Sequence, residues 1–207
     1  LPTIAADLDV SASRAVWITN LFQVVCAAFL LVFAGISELI TRRRLYLFGL
    51  ATFVAAALGA ALSRNLETLL VFRAFQGLGA AATLSIGPSL YRAIFPSRLL
   101  GSALGLSALV VAGGYAAGPT LSGVTLSFAD WPWLFALNVP LGLCSLWLAK
   151  RALPREEPRK GSFDVAGALL SIVMLASFFI AMDAVSHAAP IWQSGGWALL
   201  TVLACAG

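Results

Sequence analysis

The stretch Gly113-Gly114-Tyr115-Ala116-Ala117-Gly118-Pro119-Thr120-Leu121-Ser122-Gly123 decides the fold. It lies inside an apolar run over roughly residues 99–127, long enough for the ~20 residues a bilayer-spanning helix needs. Gly114, Gly118 and Ser122 recur every four residues, so they share one helical face. A face without bulky side chains lets a second helix approach backbone to backbone. Pro119 removes a backbone donor and clashes one turn back, near Tyr115, which predicts a bend there. Within a membrane such a bend persists where neighbours or water re-satisfy the freed carbonyl. The small residues alone describe an ordinary helix-packing face. The whole pattern, Gly-x-x-x-Gly-Pro-x-x-Ser-Gly, is much less common.

Composition places the stretch in context. Of the 207 residues, 60% are hydrophobic and only 11% charged, and the mean hydropathy is +0.94. A soluble domain has about a quarter of its residues charged, so the chain reads as an all-α, polytopic integral membrane protein. Further apolar runs fall at about 16–38, 45–63, 67–91, 132–149 and 165–186, each near the length of one span, and a shorter run occupies about 195–207. With the run at 99–127 these make six complete spans, and partial ones at either end bring the total to eight. The chain opens at Leu1 without Met or a signal peptide and ends at Gly207 within an apolar run, which reads as a piece of a longer protein.

The charges give the orientation. Arg42, Arg43 and Arg44 follow the first complete span, Arg92 and Arg98 the third, and Lys150, Arg151, Arg155, Arg159 and Lys160 the fifth; these are ten of the thirteen basic residues. Arg14 and Arg64 lie in the intervening loops and Arg73 lies within a span. By the positive-inside rule, loops 41–44, 92–98 and 150–163 are cytoplasmic and residues 1–15 are outside. The net charge of +4 and the isoelectric point near 9.4 are therefore a signal of topology, and a nucleic-acid partner is not implied. Trp17, Trp131, Trp133, Trp192 and Trp197 fall at outer ends of spans and Trp147 near an inner end, as in an interfacial aromatic belt. The polar segment from Arg151 to Ser162 is the linker, with Asp164 as the expected cap of the helix that follows. Residues 1–150 thus form one half-bundle, 151–163 a linker and 164–207 an added helix pair.

Arg73 is the most informative single residue. It lies about six residues into its span, where an arginine is costly unless it faces protein or water. Arg73, Gln76, Ala80, Thr83 and Gly87 share one face, a polar stripe of the kind that lines an aqueous cavity; an arginine snorkelling to the outer surface is the alternative. Asn20 and Gln23 share a face of the first complete span. They are expected either to line that cavity with Arg73 and Gln76 or to make interhelical hydrogen bonds. Asp7, Asp9, Glu67 and Asp130 lie in outer loops, Glu156 and Glu157 in the linker, and Asp183 near the outer end of its span before His187. Asp183 and His187 read either as solvated helix-end groups or as a proton site. Cys26, Cys144 and Cys205 lack metal-ligand spacing and read as packing residues, so no metal or cofactor is called for. A membrane-embedded enzyme would need convergent catalytic groups, and one histidine with no mid-membrane acid pair does not supply them.

The stretch at 113–123 resembles the fifth-helix antiporter motif of the major facilitator superfamily. Arg73-Ala-Phe-Gln76-Gly77-Leu-Gly79-Ala80-Ala81 resembles its fourth-helix motif. Trp131-Pro-Trp133-Leu-Phe135-Ala-Leu-Asn138-Val-Pro140-Leu-Gly142 looks like the entry to helix six in the fourteen-helix drug–proton antiporter branch. Leu1-Pro2-Thr3-Ile4-Ala5 with Asp7, Leu8 and Trp17 looks like that branch's first outer loop, and Phe163-Asp164-Val-Ala-Gly167 looks like its extra central helix pair. One motif departs. In Gly35-Ile-Ser-Glu38-Leu39-Ile-Thr-Arg42-Arg43-Arg44, counting back from the arginines puts Glu38 at the family's acidic position and counting from Gly35 puts Leu39 there, and one residue turns a helical side chain by about 100°.

The resemblance implies a proton-coupled exporter of hydrophobic, often cationic, small molecules that works by alternating access in a bacterial inner membrane, or a narrow-substrate metabolite exporter. It implies proton coupling at Arg73 with Gln76 and Gly77. It also implies close packing of Gly114, Gly118, Pro119, Ser122 and Gly123 against a C-terminal half outside this chain, and a cytoplasmic gate at Gly35, Glu38 and Arg42–Arg44. Those arginines serve topology and contact with anionic lipid on the other reading. The family's proton-bearing acid commonly lies in helix one, most of which this chain lacks, so the chain by itself could be unable to transport.

Overall fold

A computed structural model describes residues 1–37, 39–154 and 165–186. Eight helices follow one another among these residues: α1 (Pro2–Asp7), α2 (Ala12–Ile36), α3 (Arg42–Ala61), α4 (Leu66–Ile94), α5 (Ser97–Phe128), α6 (Pro132–Ala136), α7 (Asn138–Ala152) and α8 (Val165–Ser186). The order matches the apolar runs, and α2, α3, α4, α5 and the α6–α7 segment are each long and apolar enough to cross a membrane. The fold is an all-α transmembrane bundle.

Local chemistry sets the helix ends. Ser11, Thr41 and Asn65 cap α2, α3 and α4, each accepting a hydrogen bond from the backbone N–H three residues on. Glu67 lies in the first turn of α4, where the helix dipole favours an acid. α4 stops at the residues before Pro96, as the restricted backbone ahead of a proline dictates. Pro132 opens α6, and the helix breaks at Leu137. Pro140 has no N–H for the Ala136 carbonyl, which removes one bond from the ladder at that point. α5 runs through Pro119 and α4 through Pro88.

α4 is the centre of the bundle, packed along both α2 and α3, while α7 lies on α3 and α8 along α2. Glycines permit this. A Cβ on Gly77 would sit 2.7 Å from the Phe22 carbonyl oxygen and 3.2 Å from the Cys26 nitrogen, both backbone atoms of α2. On the opposite side of α4, a Cβ on Gly79 would meet the Gly49 carbonyl oxygen at 2.6 Å and the Phe53 nitrogen at 2.7 Å, both of α3. Two glycines two residues apart thus let α4 press against a helix on either side. Gly142 does the same for α7 against Val54 of α3.

The core has two parts, called outer and inner after the orientation that the charges predict. Ile4, Ala15, Ile18, Ala60, Leu66, Leu69, Trp131 and Phe135 bury one another at the outer end, and Leu45, Ala82, Ile86 and Leu90 at the inner end. α5 contributes no buried residue. Its Leu109, Val110 and Leu121 are each more than 60% exposed, an apolar surface suited to hydrocarbon or to another helix and not to water. Residues 155–163 of the linker, the expected cap Asp164, the residue Glu38, and His187 with the following run to Gly207 lie outside the described residues.

Candidate functional site

Arg73 is the eighth residue of α4, about 10 Å along the helix from its outer end at 1.5 Å per residue. Its side chain turns into the bundle. Nε donates to the Ile18 carbonyl oxygen of α2 at 2.7 Å, and one terminal nitrogen donates to Gln76 Oε1 at 3.0 Å. Its guanidinium lies 4.4 Å from the centre of the Phe22 ring and 5.7 Å from that of Phe135. An arginine near a helix centre costs about 2.5–3.5 kcal/mol on insertion scales. A hydrogen bond to a charged group returns about 1.5–3 kcal/mol, and a desolvated cation–π contact about 2. Two such bonds and two rings are enough to hold the cation inside, so it has no need to snorkel outward.

Gln76 is 1% exposed, one of the largest fully buried side chains, and its oxygen is turned toward Arg73. Gly77 next to it lies directly against the backbone of α2. The Arg73-x-x-Gln76-Gly77 spacing therefore has a local logic. Residues 73 and 76 are one helical turn apart and pair, while 77 lets α2 come near enough to offer a carbonyl and a ring.

The polar stripe divides along its length. Arg73 is committed to α2 and α6, and Gln76 to Arg73. Thr83 donates to the Ala80 and Gly79 carbonyls of its own helix at 2.9 and 3.2 Å. With Gly87, Thr83 lines a cleft of about 700 Å³ at the inner half of the bundle, whose walls include Tyr46, Tyr91, Ser107 and Ser145. Asn20 is half-buried and Gln23 exposed, and among the described residues neither hydrogen-bonds Arg73 or Gln76. The partners that α2 supplies to Arg73 are instead a backbone carbonyl and Phe22. Both are hard to foresee, since every residue carries a carbonyl and the span is rich in phenylalanine.

One expectation is corrected. Trp131 is not an interfacial anchor: it is 3% exposed, and its indole Nε1 donates to Asp7 Oδ2 at 2.6 Å. The reason is α1, which folds back over the outer end of the bundle and covers the ring. Trp133 and Trp147 are exposed, as an aromatic belt requires, with the Arg151 guanidinium 4.0 Å from the centre of the Trp147 ring.

The remaining motif residues are distributed as follows. Gly114, Gly118 and Gly123 of α5 have no described atom within 4 Å of where a Cβ would stand, and Pro119 and Ser122 are exposed beside them. Gly35 is the penultimate residue of α2. Arg43 donates to the Lys150 carbonyl of α7 at 2.8 Å, tying the inner ends of α3 and α7 together. Arg42 and Arg44 flank it in the first turn of α3.

The fold and the partly buried arginine of a spanning helix define a polytopic membrane protein with a polar site inside its bundle. Comparison with known proteins makes this specific: the family model of the Major Facilitator Superfamily matches residues 1–207, and the chain belongs to that family. It is 39% identical over 185 residues to the uncharacterized transporter YebQ of Escherichia coli K12, covering 88% of this chain and 40% of that protein. It is 31% identical to the riboflavin transporter RibZ of Clostridioides difficile 630, over 88% of this chain and 40% of RibZ. It is 32% identical to the tetracenomycin C resistance and export protein of Streptomyces glaucescens, over 99% of this chain and 38% of that protein. The chain spans about two fifths of the length of these relatives.

Proposed function

We propose that this chain is the N-terminal half of a proton-coupled exporter of hydrophobic or cationic small molecules. The observation that carries the proposal is the Arg73–Gln76 pair, a cation held by protein groups inside a spanning helix. A cation so placed biases the proton affinity of a carboxylate brought near it, which is what coupling needs. The names of relatives that include a resistance and export protein support the outward direction.

In this reading the half-bundle rocks against a C-terminal half to give alternating access. Gly114, Gly118, Pro119, Ser122 and Gly123 of α5 pack against that other half. Gly35, Glu38 and Arg42–Arg44 form the cytoplasmic gate. Residues 151–163 link the half-bundle to an added helix pair, and the protein resides in a bacterial inner membrane with its basic loops cytoplasmic. A narrow-substrate transporter is the second reading, favoured by the likeness to RibZ.

The test uses inside-out vesicles holding the full-length parent protein. Accumulation of a fluorescent lipophilic cation is followed under an imposed pH gradient, with and without a protonophore. Protonophore-sensitive accumulation that Arg73→Ala abolishes is expected. The absence of gradient-driven accumulation for several chemically distinct cations overturns multidrug antiport and turns the search to single metabolites, riboflavin first.

A further inference from the structure

The outer end of the bundle contains an arrangement that the transport motifs do not explain. An indole N–H can only donate, and Trp131 is buried, so its nitrogen needs an acceptor. Asp7, the last residue of α1, supplies one through a short bond of 2.6 Å to a carboxylate oxygen. Two further features hold α1 in place. Ile4 is 3% exposed in the same cluster as Trp131. The chain then turns sharply into α2: the Val10 N–H donates to the Ala5 carbonyl, and Asp9 takes a φ of 50°, a conformation that aspartate tolerates better than most residues.

Beneath the Asp7–Trp131 bond the contacts lead to Arg73. Trp131 and Phe135 are one turn apart and meet edge to face, with centres 6.2 Å apart and an interplanar angle of 83°. Phe135 is one of the two rings beside the guanidinium. Ile18, whose carbonyl accepts from Arg73 Nε, buries its side chain in the cluster that contains Trp131. The cluster therefore reaches Arg73 twice, through a ring and through a carbonyl.

We propose that Asp7 and Trp131 form an outer clasp that positions Arg73, acting through Phe135 and Ile18. The clasp is a positioning pair: neither residue touches the guanidinium, and its role is to keep the ring and the carbonyl in place around it. The inference deepens the role given to Arg73 and rests on that reading for its transport arm only.

The test reads Arg73 directly. Phenylglyoxal modification of the full-length transporter in detergent is followed by site-resolved mass spectrometry, with exposed Arg64 as the internal reference. Only the monodisperse fraction of each variant is used. Trp131→Phe keeps a ring and removes the donor; Asp7→Ala removes the acceptor. Each is expected to raise the Arg73 rate relative to Arg64 by about fivefold, the factor that a lost buried hydrogen bond carries. The double variant should exceed neither single one, and Asp7→Asn, which keeps an acceptor oxygen, should stay near the parent. Leu69→Ala loosens the same cluster but leaves the donor and acceptor of the clasp unchanged, and should leave the ratio within about twofold. An unchanged ratio in Trp131→Phe and Asp7→Ala overturns the proposal, as does an equal rise in Leu69→Ala, which would reduce the pair to packing. In vesicles, the clasp variants should slow gradient-driven accumulation in proportion to the Arg73 labelling. Failure of the parent to accumulate any cation would overturn the multidrug-antiport reading and leave the labelling result to decide the clasp.

Discussion

At Gly79 of α4 a methyl group would stand 2.6 Å from the Gly49 carbonyl oxygen; at Gly118 of α5 it would meet no described atom within 4 Å. α5 is the richer of the two in small residues, yet α4 has the most buried positions of any helix described and α5 has none. A small residue is permissive. It allows close approach and does not say what approaches. On α4 both approaching helices belong to this half-bundle, and the motif glycines are steric necessities. On α5 the open face is what the proposed packing against a second half requires, and its glycines are free of steric demands within this half.

The largest effect should come from breaking α4. Gly79→Leu drives a side chain into backbone atoms of α3 that cannot move without separating the helices. Overpacking of this kind costs about 1–3 kcal/mol, and more when backbone is the obstacle. The full-length variant is expected to lose its monodisperse peak in size-exclusion chromatography, whereas Gly118→Leu should keep the peak and lose transport. If Gly118→Leu also lost the peak, α5 would be as tightly packed within its own half as α4 is.

Arg73→Ala comes next. It removes the partner of a buried glutamine oxygen and of a carbonyl, and unsatisfied groups cost about 1–3 kcal/mol. Gradient-driven accumulation should vanish while the folded yield falls only several-fold. Arg73→Lys keeps the charge but not the fork that reaches Ile18 and Gln76 together, and should recover a minor part of the activity.

Arg43→Gln tests the inner end. The bond to the Lys150 carbonyl is solvent-exposed, so its loss should lower the thermal midpoint by no more than a few degrees, read by a thiol-reactive melting assay. Thr83→Val should do least. Its hydroxyl bonds only to its own helix, so folded yield should not change. Any altered affinity for a substrate would mark the inner cleft as part of the binding surface.

Much of the fold is legible in the chain because lipid leaves few choices. Each apolar run near twenty residues must be a helix with its own backbone satisfied, and the arginine-bearing loops must stay on one side. Arg73 stands out for the same reason: a cation in such a run needs a partner, so its presence announces a site. Its partners are less visible. Asn20 and Gln23 have the right chemistry but make no hydrogen bond to Arg73 or Gln76 among the described residues, while Ile18 supplies a carbonyl and Phe22 and Phe135 supply rings.

By itself the sequence determined the helices, their order and the residue whose charge needs partners inside the bundle, because hydrocarbon penalises every unsatisfied backbone or charged group locally, residue by residue. Only the tertiary structure decided which glycines are pressed against backbone, that Trp131 is buried under α1 and bonded to Asp7, and that a main-chain oxygen of α2 receives Arg73. Those outcomes depend on what lies across from each residue, and a residue 124 or 55 positions away in the chain leaves no local trace of being the neighbour.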